Sequence, residues 1–250
     1  MENTNARPLT VILVEPRQPG NIGATCRAMA NFGVTDLRLV NPCDRFAPEA
    51  VKFAVAAKPL LGQAQLFTSL SEALADLHVS LALTRRRGRL RGDLPTIAQF
   101  PQLLATLPVS SKVGLVFGRE DCGLSTQEVA CCTHAVSIPT PGDNGSLNLA
   151  QAVVVTLYEL LAHDQGQACE RNDCTAELPA QQDMDALLQK LEGIAATIGY
   201  NNPSRPEVIG HTLRQLLSKS QPDIREFNML RGFVTQLEQS IHGWPGKRRG

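Results

Sequence analysis

TVILVEPRQPGNIGATCR, residues 10–27, passes from a short aliphatic run through a turn punctuated by Pro and Gly into a helical pattern, and it decides the fold class. Thr10–Val14 has the composition of a buried strand. The loop after it enters a helix through Gly20 and Asn21, and helix starts of this kind present free backbone N–H groups to anions. On the predicted helix Asn21–Phe32, the residues Ile22, Cys26, Met29 and Phe32 share one arc, and Arg27 lies nearly opposite beside Gly23, Ala24 and Asn31. Arg27 is therefore expected to stand away from the core over a small-residue surface able to admit a ligand. Taken alone, an exposed arginine is more often a solvated charge than a functional one.

Working outward, the strand-turn-helix unit recurs. Strands are expected at Asp36–Val40, Val79–Thr84, Lys112–Phe117 and His134–Ile138, and helices at Pro48–Ala57, Leu70–Leu77, Thr96–Thr106, Ser125–Cys131 and Leu147–His163. Ser125 and Glu128 have the spacing of a capping box, which marks one helix start. The alternation implies an α/β domain with a mainly parallel sheet flanked by helices over residues 1–163. Apolar periodicity then lapses over residues 164–182, which read as a linker. A small helical extension follows over 183–242, with helices at Met184–Ile198, Ser204–Leu217 and Pro222–Ile241, the middle one opened by Ser204, Pro206 and Glu207. In the last helix Phe227, Leu230, Val234, Leu237 and Ile241 form a one-sided seam, for packing, a dimer contact or an RNA guide. Residues 243–250 are a basic tail.

The 24 basic and 24 acidic side chains cancel, so nucleic-acid contact must come from local patches. Such a patch exists: Arg85-Arg86-Arg87-Gly88-Arg89-Leu90-Arg91 places five arginines in a loop, the kind of cluster that neutralises phosphates. No leader-like or membrane-spanning apolar run is present, and the chain is expected in the cytoplasm. Seven scattered cysteines (Cys26, Cys43, Cys122, Cys131, Cys132, Cys169 and Cys174) without Cys-x-x-Cys or zinc-ligand spacing argue for reduced thiols and no metal site.

Two further stretches carry chemistry. Phe117-Gly118-Arg119-Glu120, followed by Gly123-Leu124, puts charge at the carboxyl end of a buried strand, where open α/β sheets bind ligands. Glu120 is suited to orient a guanidinium or a ligand hydroxyl, unless it merely pairs with Arg119. Ile138 to Ala150 is a strand exit, a Pro- and Gly-rich loop and a helix opened by Ser146 or Asn148, either a crossover turn or a cradle of backbone groups around a small molecule. Neither Gly-x-Gly-x-x-Gly after the first strand nor a P-loop occurs, which disfavours dinucleotide folds, Rossmann-type methyltransferases and P-loop hydrolases.

In this order Asn21-Ile22-Gly23-Ala24-Thr25-Cys26-Arg27-Ala28-Met29, Phe117-Gly118-Arg119-Glu120 with Gly123-Leu124, and Ser146-Leu147-Asn148-Leu149-Ala150 resemble the three motifs of the SPOUT (SpoU-TrmD) superfamily of RNA methyltransferases, in its SpoU and TrmJ-like branch. The resemblance covers about residues 10–163. It implies a deep trefoil knot in the carboxyl-terminal part of the sheet, an exception to the avoidance of knots. It implies S-adenosylmethionine as methyl donor, held largely by the backbone of Thr84, Arg85, Arg86, Gly118, Ile138, Gly145, Ser146 and Leu147. It also implies a homodimer with the active site at the interface, Arg27 acting on the ribose 2′-hydroxyl, and Glu120, Ser146 and Asn148 completing the catalytic set. RNA contacts would fall to Asn21, Arg27, Arg86, Arg87, Arg89, Arg91 and Arg119, with neither DNA nor a membrane as partner. Leu230-Arg231-Gly232-Phe233 looks like the carboxyl-terminal region of the branch that methylates a cytidine or uridine at the first nucleotide of the tRNA anticodon loop. Thr84-Arg85-Arg86-Arg87, Gly145 and Ala56-Ala57-Lys58 depart from the usual family residues.

Three other readings are compatible with the same residues. One is ribose methylation of ribosomal RNA or of another tRNA nucleotide. Another is a knotted dimer that binds RNA without catalysis. The third is a small-molecule enzyme whose arginine cluster grips a phosphorylated metabolite.

Overall fold

The computed structural model describes residues 7–85, 94–140, 146–162, 177–201 and 207–242. The chain divides into two compact units, Met1–Thr175 and Ala176–Gly250. No helix among the described residues is long and apolar enough to cross a membrane.

The first unit is built on a six-stranded sheet in the order β3-β2-β1-β5-β4-β6, every pairing parallel. Its strands are β1 (Leu9–Val14), β2 (Asp36–Val40), β3 (Gln65–Phe67), β4 (Val79–Leu83), β5 (Val113–Phe117) and β6 (His134–Val136). β1 and β5 are buried at every position, because a parallel sheet covered on both sides leaves no wet face and its strands become continuous apolar runs. One face packs Ile12, Val14, Val40, Ala82 and Val116 against α4 (Leu70–Leu74) and α6 (Thr126–Cys131). The alternate positions Val11, Leu13, Leu39, Leu81 and Leu115 are equally buried and point to the other side.

The remaining helices of this unit are α1 (Pro19–Asn31), α2 (Pro48–Ala54), α3 (Lys58–Gln63), α5 (Phe100–Ala105) and α7 (Leu149–Ala162), with short 3-10 turns at Val55–Ala57 and Ile97–Gln99. α1 packs against both α2 and α7. As expected, Ile22, Cys26 and Met29 are fully buried and Arg27 is exposed. The small-residue surface beside Arg27 is less open than the helical wheel suggests, since Gly23 is buried: a Cβ there would lie 2.1 Å from the Ala50 carbonyl oxygen of α2. Glycine at this position sets how closely the two helices approach.

β3 and α3 are absent from the sequence reading. β3 has three residues, mostly exposed, and becomes a strand only because β2 offers it an edge. The expected helix Pro48–Ala57 stops at Ala54, where Val55 takes φ 52°, and the chain turns into α3. The expected helix Thr96–Thr106 opens as a 3-10 turn, capped by Thr96 and Gln99.

The second unit contains α8 (Gln181–Thr197), α9 (Glu207–Ser220) and α10 (Ile224–Ser240). α8 begins before the end of the predicted linker, so Gln181 and Gln182 are helical. Leu187, Phe227 and Val234 form its buried centre, with Met184, Leu191, Ile194, Leu217, Ile224 and Leu230 packed around them. Arg214 pairs with Asp185 at 2.6 Å and Lys190 with Glu238 at 3.2 Å, tying α8 to both neighbours. Of the predicted seam on α10, Phe227, Leu230 and Val234 enter this core, whereas Leu237 lies at its margin, 37% exposed. The cap of α10 is Asp223, in a reciprocal capping box with Glu226. Ser204 and Pro206 lie outside the described residues.

Candidate active site

At the carboxyl ends of β4 and β5 lies a cavity of about 470 Å³, within the ~300–1,000 Å³ typical of small-molecule sites. Its walls bring together six residues expected to hold the donor: Thr84 and Arg85 after β4, Gly118 after β5, Ile138 beyond β6, and Ser146 and Leu147 before α7. Arg119, Glu120 and Cys122 also line it, and Leu83, Phe117 and Leu149 supply apolar surface. The turn 118–124 folds back tightly: a Cβ on Gly118 would lie 2.2 Å from the carbonyl carbon of Gly123, and Gly123 itself has φ 68°. Only glycine fits Gly118, and Gly123 adopts the left-handed backbone that favours glycine. The result is a wall made of main chain, which suits a ligand held by backbone amides and carbonyls.

Asn21 joins the three sequence motifs. Its Nδ2 donates to Glu120 Oε1 at 2.9 Å and to Gln18 Oε1 at 3.2 Å, and its Oδ1 accepts from Asn148 Nδ2 at 2.9 Å. Glu120 also accepts from the backbone amides of Arg17, at 3.0 Å, and Gln18, at 3.1 Å. Burial pushes the Glu120 carboxyl upward, but the hydrogen bonds from Asn21 and these amides outweigh it, holding the group below the ordinary range and charged. Asn148 caps α7 through Oδ1, which accepts from the amides of Ala150 and Gln151. That settles the choice between Ser146 and Asn148 as helix opener.

Asn21 is buried, with its amide committed to Glu120, Gln18 and Asn148, and in this chain it braces the site. Glu120 holds the loop before α1, and Asn148 holds the start of α7. Asn148→Ala is expected to lower stability by about 1–2 kcal/mol, from the lost cap and the acceptor left on Asn21. Urea unfolding checks this, and an unchanged midpoint would show that the cap contributes nothing.

Arg119 is likewise engaged within the chain. Its guanidinium is enclosed by Glu15, at 2.8 Å from Nε and 2.7 Å from Nη2, and by Glu128, at 3.0 and 2.9 Å. Two carboxylates raise its pKa further above its already high ordinary value. Glu15 sits at φ 46°, an uncommon backbone state for a residue with a side chain, where β1 ends. In the sequence Glu15 stands in the loop after the first strand with no role assigned, and Glu128 is legible only as a cap. No local signal links them, because the three residues meet only when β1, β5 and α6 are side by side.

Arg27 is exposed and forms no ion pair or hydrogen bond with another described residue, and it does not line the cavity of its own chain. Arg86, Arg87, Arg89, Arg91 and Gly145, expected at the RNA or donor site, lie outside the described residues. Among the described residues no group of His, Cys, Asp and Glu is placed to hold a metal, and five cysteines are free thiols. Burial pushes Cys26 up to about 12, and Cys122 is raised by its hydrogen bond with Asp121, so neither is an activated nucleophile.

A parallel sheet with a main-chain-walled cavity at its carboxyl edge, braced by a motif-one asparagine, defines an α/β ligand-binding fold of the methylase type. The chain belongs to the SpoU rRNA methylase family, which it matches over residues 8–158, and is a TrmJ-like member of the SPOUT superfamily. Residues 182–245 match the carboxyl-terminal domain of the tRNA methyltransferase TrmJ. Over 235 residues the chain is 32% identical to the tRNA (cytidine/uridine-2′-O-)-methyltransferase TrmJ of Yersinia pestis, covering 92% of this chain and 91% of that one. Among solved structures, TrmJ from Z. mobilis superposes with a TM-score of 0.77 at 35% identity, covering 92% of this chain and 98% of the other. A methylase family protein from Neisseria gonorrhoeae gives a TM-score of 0.66 at 30% identity, covering 76% and 96%.

Proposed function

We propose that the chain transfers a methyl group from S-adenosylmethionine to a ribose 2′-hydroxyl of tRNA, at the cytidine or uridine that opens the anticodon loop. The observation that carries this reading is the cavity of about 470 Å³, in which Thr84, Arg85, Gly118, Ile138, Ser146 and Leu147 converge. Its mixture of apolar walls and glycine-lined main chain fits an adenosyl group bound without a glycine fingerprint. Matches at both ends of the chain to TrmJ-type enzymes support tRNA as the substrate.

The bound donor supplies an electrophilic methyl with a neutral thioether as leaving group. The protein's own task is to position and ionise a poor nucleophile. Arg27 is assigned to the 2′-hydroxyl. A guanidinium is fully protonated at neutral pH, so it orients the hydroxyl and stabilises the developing alkoxide by hydrogen bonding instead of removing the proton. Ser146 stands at the cavity wall to hydrogen-bond the acceptor ribose. Asn21, Glu120 and Asn148 hold the three motifs in register.

The active unit is a homodimer in this reading. Arg27 does not reach the cavity of its own chain, and α7 leaves Val154 and Tyr158 exposed, as a surface awaiting a second copy would. The carboxyl-terminal part of the sheet is assigned to a deep trefoil knot. Ribose-methylation mapping of tRNA and ribosomal RNA from a deletion strain tests the substrate. Loss of the mark at the start of the anticodon loop is expected, and its persistence together with loss of a ribosomal mark would overturn the assignment.

A further inference from the structure

The surface next to Arg27 is both apolar and basic. α1 and α2 touch at Gly23, whose missing Cβ would press on the Ala50 carbonyl and lie 3.0 Å from the Ala54 amide. Arg27 follows Gly23 by one helical turn and so emerges beside the end of α2. There Phe53 is 46% exposed and Val55 51% exposed, flanked by the exposed Lys52 and Lys58. Neither lysine, nor Arg27, forms an ion pair with a described residue. No Asp or Glu occurs between Ala50 and Ser71, and the carboxylate of Glu49, at the start of α2, is turned toward Gly20. Val55 holds φ 52°, a genuine outlier for a β-branched residue. Strain of that kind persists where surrounding structure imposes it, and it is concentrated at functional surfaces. Here it ends α2 abruptly, just after Lys52 and Phe53 and three residues before Lys58.

We propose that Phe53, Lys52 and Lys58 form a platform for an unpaired nucleotide of the RNA substrate next to the ribose presented to Arg27. The base stacks on Phe53 and the flanking phosphates lie against the two ammonium groups. An open aromatic face accepts any base and is the usual means of gripping single-stranded nucleotides. Three cations without an ion-pair partner among the described residues complement a phosphate backbone, whereas the centre of a protein interface is depleted of charge. The proposal rests on the ribose-methylation reading and adds to it a contact that grips the flanking nucleotide whatever its base.

The test uses the full chain and an unmodified tRNA transcript, with KM, kcat and, without donor, Kd across a salt series. Phe53→Ala is expected to raise KM and Kd roughly 5- to 100-fold with kcat at saturating RNA held. Phe53→Trp should restore both. Replacing Lys52 and Lys58 together by alanine should flatten the salt dependence by roughly 1 to 1.5 in logarithmic slope. Donor affinity, unfolding temperature and mass in solution should not move. Unchanged Kd in both variants overturns the platform. A change of assembly state in Phe53→Ala also overturns it, because the surface would then be a protein contact. Failure of the unsubstituted protein to methylate any tRNA would count against the broader reading, while donor-free Kd still decides the platform.

Discussion

Arg27→Ala is expected to slow methyl transfer by about 10²–10³-fold, the usual effect of removing one donor aimed at a developing oxyanion. The fold should survive intact. Arg27 is exposed and has no partner among the described residues, so its loss breaks no internal bond and leaves no buried charge. Donor affinity should also hold, because the residue does not line the cavity of its own chain. The measurement is single-turnover transfer to tRNA beside calorimetric titration with S-adenosylmethionine. Arg27→Lys should recover little, since an ammonium lacks the planar pair of donors. A fully active alanine variant would remove Arg27 from the chemistry. A variant that lost donor binding would instead make it part of the binding wall.

Arg119→Met is expected to lower stability at neutral pH by about 2–3 kcal/mol, or roughly 5–10 °C in Tm for a unit of this size. The methionine keeps most of the apolar stem but leaves Glu15 and Glu128 facing each other across the vacated guanidinium. Breaking a buried pair costs more than this in general, and the figure is reduced because the Glu15 side chain is 39% exposed and partly screened. Glu15 is held below its ordinary value chiefly by its hydrogen bond with Arg119. For Glu128, burial pushes upward but Arg119 and the Ser125 cap outweigh it. Groups depressed in this way stabilise the fold above their unfolded value of about 4.5, and that contribution is lost as pH falls through the folded values. The wild-type protein should therefore weaken in acid through this clamp. The variant should weaken less, because its two carboxylates protonate readily. The gap between the two proteins should be widest near pH 7 and shrink below about pH 4, and Glu128→Gln should recover part of it. Thermal unfolding across that range decides it, and a gap independent of pH would show that packing, not charge, is at work. The clamp also fixes the turn 118–124, so weaker donor binding should accompany the loss.

Much of this was legible in the chain. The buried strands β1, β4 and β5 are local features, because a parallel sheet covered on both faces favours apolar runs and Val, Ile, Leu and Phe dominate those positions. The arc of Ile22, Cys26 and Met29 opposite Arg27 follows from helical geometry alone. β3 was illegible for the converse reason: Gln65-Leu66-Phe67 has no pattern of its own and is paired into place by β2. Arg38 is a similar case, a buried charge in the middle of β2. Its bonds to Asp76 and the Ala73 carbonyl form only once α4 lies beside the strand.

The amino-acid sequence by itself determined the α/β class, the order of the three motifs and the solvent-facing position of Arg27, since each depends on residues within a few turns or strands of one another. Only the tertiary structure decided what the motif side chains do. Asn21, Glu120 and Asn148, distant in the chain, became one hydrogen-bonded brace, and Arg119 was drawn between Glu15 and Glu128. The physical reason is that a polar group withdrawn from water must find partners, and which partners it finds depends on the strands and helices that packing sets beside it.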